Sequence, residues 1–200
     1  MRRAGALPAL GFSAMDDLEM QKRALREEVR ARMPAPGSAA FLAASLAAQE
    51  RLAASPLASA ARVVALYRAL PSECGTASLA AALQAAGKEI CYPAVVPGER
   101  LMSFRRSAGA FVKGSLGIEE PTGAPVALSQ IDLLVVPALA VDKAGRRLGR
   151  GKGHYDATLA ACSAHAVALV FEAQLVPQVP VGEHDRAVAF VCTEARLLRV

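Results

Sequence analysis

The sequence predicts an α/β fold: one three-layer α/β/α domain built around a mostly parallel sheet. Three observations carry this expectation. Short unbroken runs of aliphatic and β-branched residues recur along the chain, strongest at residues 132–137, as in strands buried on both faces. Segments of helical periodicity alternate with those runs, the arrangement that crossover connections produce. And 200 residues suffice for one sizeable core, with no repeat or composition break to divide them.

Taken in order, residues 1–14 read as a flexible leader or a start assigned too early. Arg2 and Arg3 precede small apolar residues there, but Pro8 and Gly11 interrupt the run before it resembles a signal segment. Residues 15–200 form the single domain. A first helix is predicted over residues 16–33, stopped by Pro34 and Pro36. Met15, Leu18, Leu25, Val29 and Met33 make one apolar stripe on it, with Lys22 in the middle of the stripe and Arg26 at its edge. Two cations there either snorkel past a packed face or point at an anion. A second, alanine-rich helix is expected over residues 38–54.

The period then changes. Residues 62–67 read as a buried strand and residues 76–86 as a helix, with Thr76 as N-cap and Gly87 just past its end. Strands follow at residues 89–92 and 101–105, divided by the Pro97-Gly98 turn. Residues 106–130 carry no clear period and are read as loops. After the strand at 132–137 come a helix over residues 155–162 and strands at 166–171 and 187–192. Such a Rossmann-like sheet holds ligands beyond the carboxyl ends of its strands. That puts the loop with Glu73, the loop after residue 137 and the loop leading to Asp185 on one edge.

The net charge of +5 suits an anionic substrate or a nucleic acid and does not choose between them. Cys74, Cys91, Cys162 and Cys192 are scattered without metal-ligand spacing, which suggests buried thiols in a reducing cytoplasm. No apolar run reaches membrane-spanning length, so no membrane partner is expected.

Residues 142–156, DKAGRRLGRGKGHYD, carry the most chemistry. Gly149, Gly151 and Gly153 allow a backbone to approach a ligand, and Arg147, Arg150 and Lys152 would repel one another without a polyanion between them. Asp156 could then hold a divalent metal beside that polyanion. The segment is not a Walker A loop, which would need Gly at Arg146 and Ser or Thr at Gly153. Nor is it a G-x-G-x-x-G loop, because His154 stands where the last Gly belongs. A magnesium nucleotide and an RNA strand both remain compatible with it.

Four stretches together carry a resemblance to a known family: LLVVPALAVD at 133–142, RLGRGKGHYD at 147–156, PSECGT at 71–76 and VPVGEHD at 179–185. In order and spacing the chain resembles the 5-formyltetrahydrofolate cyclo-ligase (5,10-methenyltetrahydrofolate synthetase) family, from Lys22 to about Thr193. The resemblance implies a topology akin to sugar-phosphate isomerase and CoA transferase folds. It implies an ATP- and Mg2+-dependent ligase of cytoplasmic folate and one-carbon metabolism. ATP would phosphorylate the formyl oxygen of 5-formyltetrahydrofolate, N10 would attack, and 5,10-methenyltetrahydrofolate, ADP and phosphate would leave.

By position, Lys22 and Arg26 match an ATP-binding Lys-x-x-x-Arg. Arg147, Leu148, Gly149, Arg150, Gly151, Lys152, Gly153, His154 and Tyr155 would line ATP, with Arg150 through His154 also facing the folate. Lys152 and Arg150 would stabilise the phosphoryl group in flight, Glu73 would bind the pterin, and Asp156 and Asp185 would bind Mg2+. The pattern departs at Arg68, where relatives carry an apolar residue beside the folate, and at His154, where a Tyr is common. Met102, Phe104 and Tyr155 would be either further contacts to the pterin or its benzoyl tail or simply core residues. A monomer acting on small molecules without nucleic acid is expected. The alternative is a non-catalytic folate- or RNA-binding module on the same fold.

Overall fold

A computed structural model of the chain describes residues 14–107, 110–114 and 117–200. The expected leader lies outside the described residues except for Ala14, which begins the first helix. In chain order the elements are α1 (Ala14–Arg32), α2 (Ala39–Ala53), α3 (Pro56–Ala60), β1 (Val63–Ala65), α4 (Ala77–Ala85), β2 (Glu89–Ala94) and β3 (Ser103–Arg106). Then come β4 (Phe111–Lys113), β5 (Glu119–Pro121), β6 (Pro125–Val126), β7 (Leu133–Val136), β8 (Ala140–Asp142) and β9 (Arg147–Leu148). The chain ends with α5 (His154–Ala161), β10 (His165–Leu169), β11 (Leu175–Val176), β12 (Phe190–Cys192) and β13 (Leu197–Arg199). Among the described residues no helix is long and apolar enough to cross a membrane.

Eight strands form the main sheet in the order β13-β12-β10-β7-β1-β2-β3-β6. The strands from β12 to β2 pair in parallel, whereas β13, β3 and β6 add on antiparallel at the edges. All four residues of β7 are buried, because this strand is covered on both faces. Leu133 and Val135 face a core shared with Phe41 and Leu52 of α2 and Leu79 and Leu83 of α4. Leu134 and Val136 face the opposite core, where Leu159 of α5 packs. Asp132 ties the starts of β1 and β7 together by accepting from the backbone N–H groups of Arg62 and Val63, at 2.8 and 2.9 Å. These two hydrogen bonds hold its carboxyl below the usual carboxylate range.

Several expectations change in detail. The strand expected to stop at Tyr92 runs on to Ala94 through Pro93. Its pairing with β1 ends at Cys91, so the missing N–H of Pro93 leaves no gap on that side. Residues 106–130 are not all loop: β4 and β5 form a hairpin, and β6 closes the sheet edge. Thr76 occupies the N-cap position of α4, but its hydroxyl donates to the Tyr67 carbonyl at 2.7 Å instead of capping the helix. At the other end of α4 Gly87, at φ +75°, and Lys88 donate to the carbonyls of Gln84 and Leu83 at 2.9 Å each, a Schellman closure. Met15, at one end of the predicted stripe, is 78% exposed, whereas Val29 and Lys22 are buried.

Candidate functional site

The loop after β1, the segment after β7 and the β11–β12 loop that carries Asp185 meet on one side of the main sheet. Together with α1 they enclose a cavity of about 650 Å³. Lys22, Arg26, Arg68, Glu73, the whole segment 147–156 and Asp185 all line it. Met102 and Tyr155 line it too, but Phe104 does not: its ring is 2% exposed within the core.

The glycine-rich segment hangs from a small scaffold that the sequence did not announce. β8 pairs antiparallel with β9 and parallel with β11, forming a second sheet. Asp142, fully buried, organises its turn. One carboxylate oxygen accepts from the N–H groups of Ala144 and Arg146 at 2.9 and 3.1 Å; the other accepts from Arg146 Nε at 2.7 Å and Val179 N–H at 2.8 Å. A carboxylate with this many donors is satisfied although buried. It fixes the take-off point of the segment relative to the loop that carries Asp185.

From that anchor the chain crosses the cavity. Arg26 Nε donates to the Gly149 carbonyl at 3.2 Å, so α1 holds the segment from one side. Gly151 has φ +88°, a conformation that costs other residues strain, and Gly153 at φ +73° is the N-cap residue of α5. Asp156 stands in the first turn of α5, where a carboxylate complements the helix dipole.

Opposite charges meet in pairs across the cavity. Lys22 Nζ donates to Asp185 Oδ2 at 2.6 Å, and the Gly182 N–H reaches the same oxygen at 2.7 Å. Burial pushes the Asp185 carboxyl up, but Lys22 and the Gly182 N–H outweigh it and hold it below the ordinary range. Arg147, 6% exposed, donates to Asp156 Oδ1 at 2.8 Å, and the Arg186 N–H reaches that oxygen at 3.1 Å. Its Nε has no hydrogen-bond partner among the described residues, and its guanidinium lies 5.7 Å from the centre of the Tyr155 ring. Burial lowers the Arg147 pKa, while Asp156, Tyr155 and Asp185 pull it back up. Desolvation likewise raises the Tyr155 hydroxyl, with Glu73 adding to the effect.

Arg150 Nε donates to Glu73 Oε1 at 3.0 Å and Arg150 also reaches Ser72 Oγ at 3.1 Å, while Glu73 Oε2 accepts the Leu70 N–H at 2.9 Å. Lys152 is exposed and makes no ion pair or hydrogen bond among the described residues. His154 Nδ1 lies 3.0 Å from the Arg100 carbonyl. Arg68 pairs with Glu119 and lies over Phe111, 4.7 Å from the ring centre.

Arg100, His184 and Arg186 also line the cavity without having been singled out in the sequence. Arg186 and His184 flank Asp185, so proximity to a predicted ligand was the available signal; nothing local marks Arg100. For a divalent metal, the donor set is two carboxylates from different loops. Asp156 Oδ2 and Asp185 Oδ1 carry no hydrogen bond among the described residues, which leaves each acid an oxygen to offer. Magnesium takes one or two carboxylates when phosphate oxygens and waters complete its shell, so these residues fit that ion. No group of three or more acidic, His or Cys side chains suited to a metal occurs among the described residues, so they do not form an all-protein cage.

The chain matches the family model described as the 5-formyltetrahydrofolate cyclo-ligase family over residues 18–194. The 5-formyltetrahydrofolate cyclo-ligase of Mycolicibacterium smegmatis is 34% identical over 146 residues, which cover 68% of this chain and 75% of that protein. The mouse protein of the same name is 31% identical over 189 residues, covering 86% of this chain and 93% of the relative. The NMR structure of Aquifex aeolicus 5,10-methenyltetrahydrofolate synthetase superposes with a TM-score of 0.76 at 27% identity, covering 90% of this chain and 93% of the other. A Mycoplasma pneumoniae 5,10-methenyltetrahydrofolate synthetase shares the fold at a TM-score of 0.69 and 19% identity, over 88% and 99% of the two chains.

Proposed function

The chain belongs to the 5-formyltetrahydrofolate cyclo-ligase family, and from that premise we propose that it closes the folate ring in the cavity described above, at the expense of MgATP. The enzyme converts 5-formyltetrahydrofolate to 5,10-methenyltetrahydrofolate. The γ-phosphoryl group passes from ATP to the formyl oxygen, and ADP is released. N10 then attacks the formyl carbon and gives up its proton; the carbon–oxygen bond breaks and phosphate leaves with that proton. The product carries its positive charge across N5 and N10.

This chemistry asks for positioned cations and a fitted pocket, not for a nucleophilic side chain. Lys22, Arg26 and Arg147 take the phosphates, and the backbone of Leu148, Gly149, Gly151, Gly153, His154 and Tyr155 comes close to them. Lys152, uncommitted on a loop between glycines, meets the phosphoryl group in transit, with Arg150 beside it. Glu73 accepts hydrogen bonds from the pterin N–H groups, the pairing that two carboxylate oxygens suit. Arg68 and the face from Arg150 to His154 complete the folate side. Asp156 and Asp185 would hold a magnesium ion, which would supply positive charge against the phosphates.

The observation that carries this reading is that one cavity of about 650 Å³ is lined at once by Lys22, Glu73, the segment 147–156 and Asp185. We further assign the enzyme to the cytoplasm as a monomer, its cysteines being free thiols. Purified protein mixed with 5-formyltetrahydrofolate and MgATP should generate the near-ultraviolet absorbance of the methenyl product, and neither ATP alone nor magnesium alone should suffice. Folded protein that binds folate or RNA without turnover would instead establish the non-catalytic module.

A further inference from the structure

Arg68 stands apart from the other cavity cations. It comes from the loop that carries Glu73, and among the described residues its hydrogen bond, ion pair and ring contacts are with Glu119, Tyr92 and Phe111 and not with the phosphate-directed residues. Its guanidinium lies over the Phe111 ring at 4.7 Å and near the Tyr92 ring at 6.0 Å, and its ion-pair partner is Glu119. An ion pair with side chains 38% and 58% exposed contributes little and exchanges readily for a better anion. The ring contact, by contrast, keeps the guanidinium plane oriented while its N–H group is held by Glu119, which lines the cavity with it.

The pair is not needed to hold the β4–β5 hairpin over the site. Glu120 does that separately, accepting the Val95 N–H at 3.0 Å, and Phe111 packs edge-on against Tyr92 at 5.6 Å. The substrate has a chemical feature that the site as described has not met. Beyond its pterin, 5-formyltetrahydrofolate carries a benzoyl ring and a glutamate with two carboxylates. Pro93, Val95, Met102 and Ile118 give the cavity an apolar wall suited to the ring. Arg100 lies against Gly153, 3.8 Å from where a side chain there would begin, and so belongs to the phosphate side.

We propose that Arg68 binds a carboxylate of the folate's glutamate tail, displacing Glu119, and so sets the preference for an acidic tail. The assignment rests on the cyclo-ligase reading. Arg–carboxylate pairing is planar and bidentate, which makes it a selective filter for that group.

The test compares 5-formyltetrahydrofolate with its diamide, in which both tail carboxylates are neutral. Equilibrium binding is measured alongside turnover, for wild type, Arg68→Met, Arg68→Lys and Glu119→Gln. Wild type should bind the acid at least tenfold more tightly than the diamide. Arg68→Met should erase that difference by weakening the acid alone, and Arg68→Lys should restore part of it. Glu119→Gln, which frees Arg68 of its internal competitor, should tighten the acid two- to threefold. Equal weakening of both ligands in Arg68→Met, or weaker acid binding in Glu119→Gln, would mean that Arg68 merely supports the hairpin. Equal binding of acid and diamide by wild type would also overturn the proposal. Tail-selective binding without turnover would keep it and remove the cyclo-ligase reading instead.

Discussion

Lys22 Nζ lies 2.6 Å from Asp185 Oδ2, although 163 positions separate the two residues in the chain. One comes from the first helix and the other from the last long loop, and both line the cavity. A cation suited to phosphate is thus neutralised by a carboxylate suited to metal, so MgATP can satisfy both by exchanging their partners.

Lys22→Met should therefore alter stability as well as activity, by about 2 kcal/mol at neutral pH. The sign follows from the lowered carboxyl of Asp185. The unfolded chain takes up that proton first as pH falls, so the pair's contribution is complete above the ordinary carboxylate range. It is lost as pH drops through the folded value. Without Lys22, burial still pushes the carboxyl up and only the Gly182 N–H and Arg147 are left to pull it down. The stability difference between wild type and variant, from urea unfolding, should shrink as the pH is lowered. A difference that grew would contradict this account.

Lys152→Ala should lower kcat by about a hundredfold or more, the scale of losing one transition-state donor. Its thermal midpoint should hardly move, because Lys152 is exposed and unpaired among the described residues. A near-normal rate would remove this lysine from the chemistry.

Glu73→Gln should separate the two substrate sites. Glu73 holds Arg150 at 3.0 Å, so wild-type nucleotide binding has to compete for that guanidinium. In the variant a non-hydrolysable ATP analogue should bind more tightly without folate, while folate itself loses about 1.5–3 kcal/mol. Weaker analogue binding would show that the pair positions Arg150 instead of restraining it.

Gly145→Ala and Gly151→Ala should fail in different ways, although both glycines have positive φ. A Cβ on Gly145 would lie 2.1 Å from the Val188 carbonyl oxygen, so this variant should lose more than about 3 kcal/mol of stability. At Gly151 the nearest atom would be Arg26 at 3.7 Å, an ordinary contact. That variant should lose about 1 kcal/mol from backbone strain alone, yet lose most of its turnover. Paired chemical-denaturation curves and rate measurements would separate the two.

Much of this architecture was legible in the chain because burial and charge leave simple traces. β7 was plain because a strand covered on both faces has no polar positions. Lys22 was conspicuous because a charge in an apolar stripe needs a partner, and Asp185 supplies one. The scaffold of β8, β9 and β11 was not legible: strands of two or three residues are too short to display a period. Asp142 was visible as an acid but not as a hub, since its four donors come from Ala144, Arg146 and Val179 after folding. The β4–β5 hairpin was hidden by the Gly, Pro and Ser content of its surroundings. Lys22, Glu73, the segment 147–156 and Asp185 share one cavity, whereas Phe104 is absent from its lining because its ring is taken up by the core.

The buried guanidinium of Arg147, its Nε without a partner among the described residues, sets the fold against its own task. Replacing a whole buried ion pair by apolar side chains is often neutral or stabilising, whereas removing one partner leaves the other charge uncompensated. Arg147→Met alone should thus melt below wild type, because Asp156 keeps only the Arg186 N–H and its partial exposure to water. Arg147→Met combined with Asp156→Leu should recover that loss while turning over no folate. Any selection for heat tolerance alone would then drift toward inactive protein at this pair of positions, and only a growth requirement for the product would keep the two charges in place.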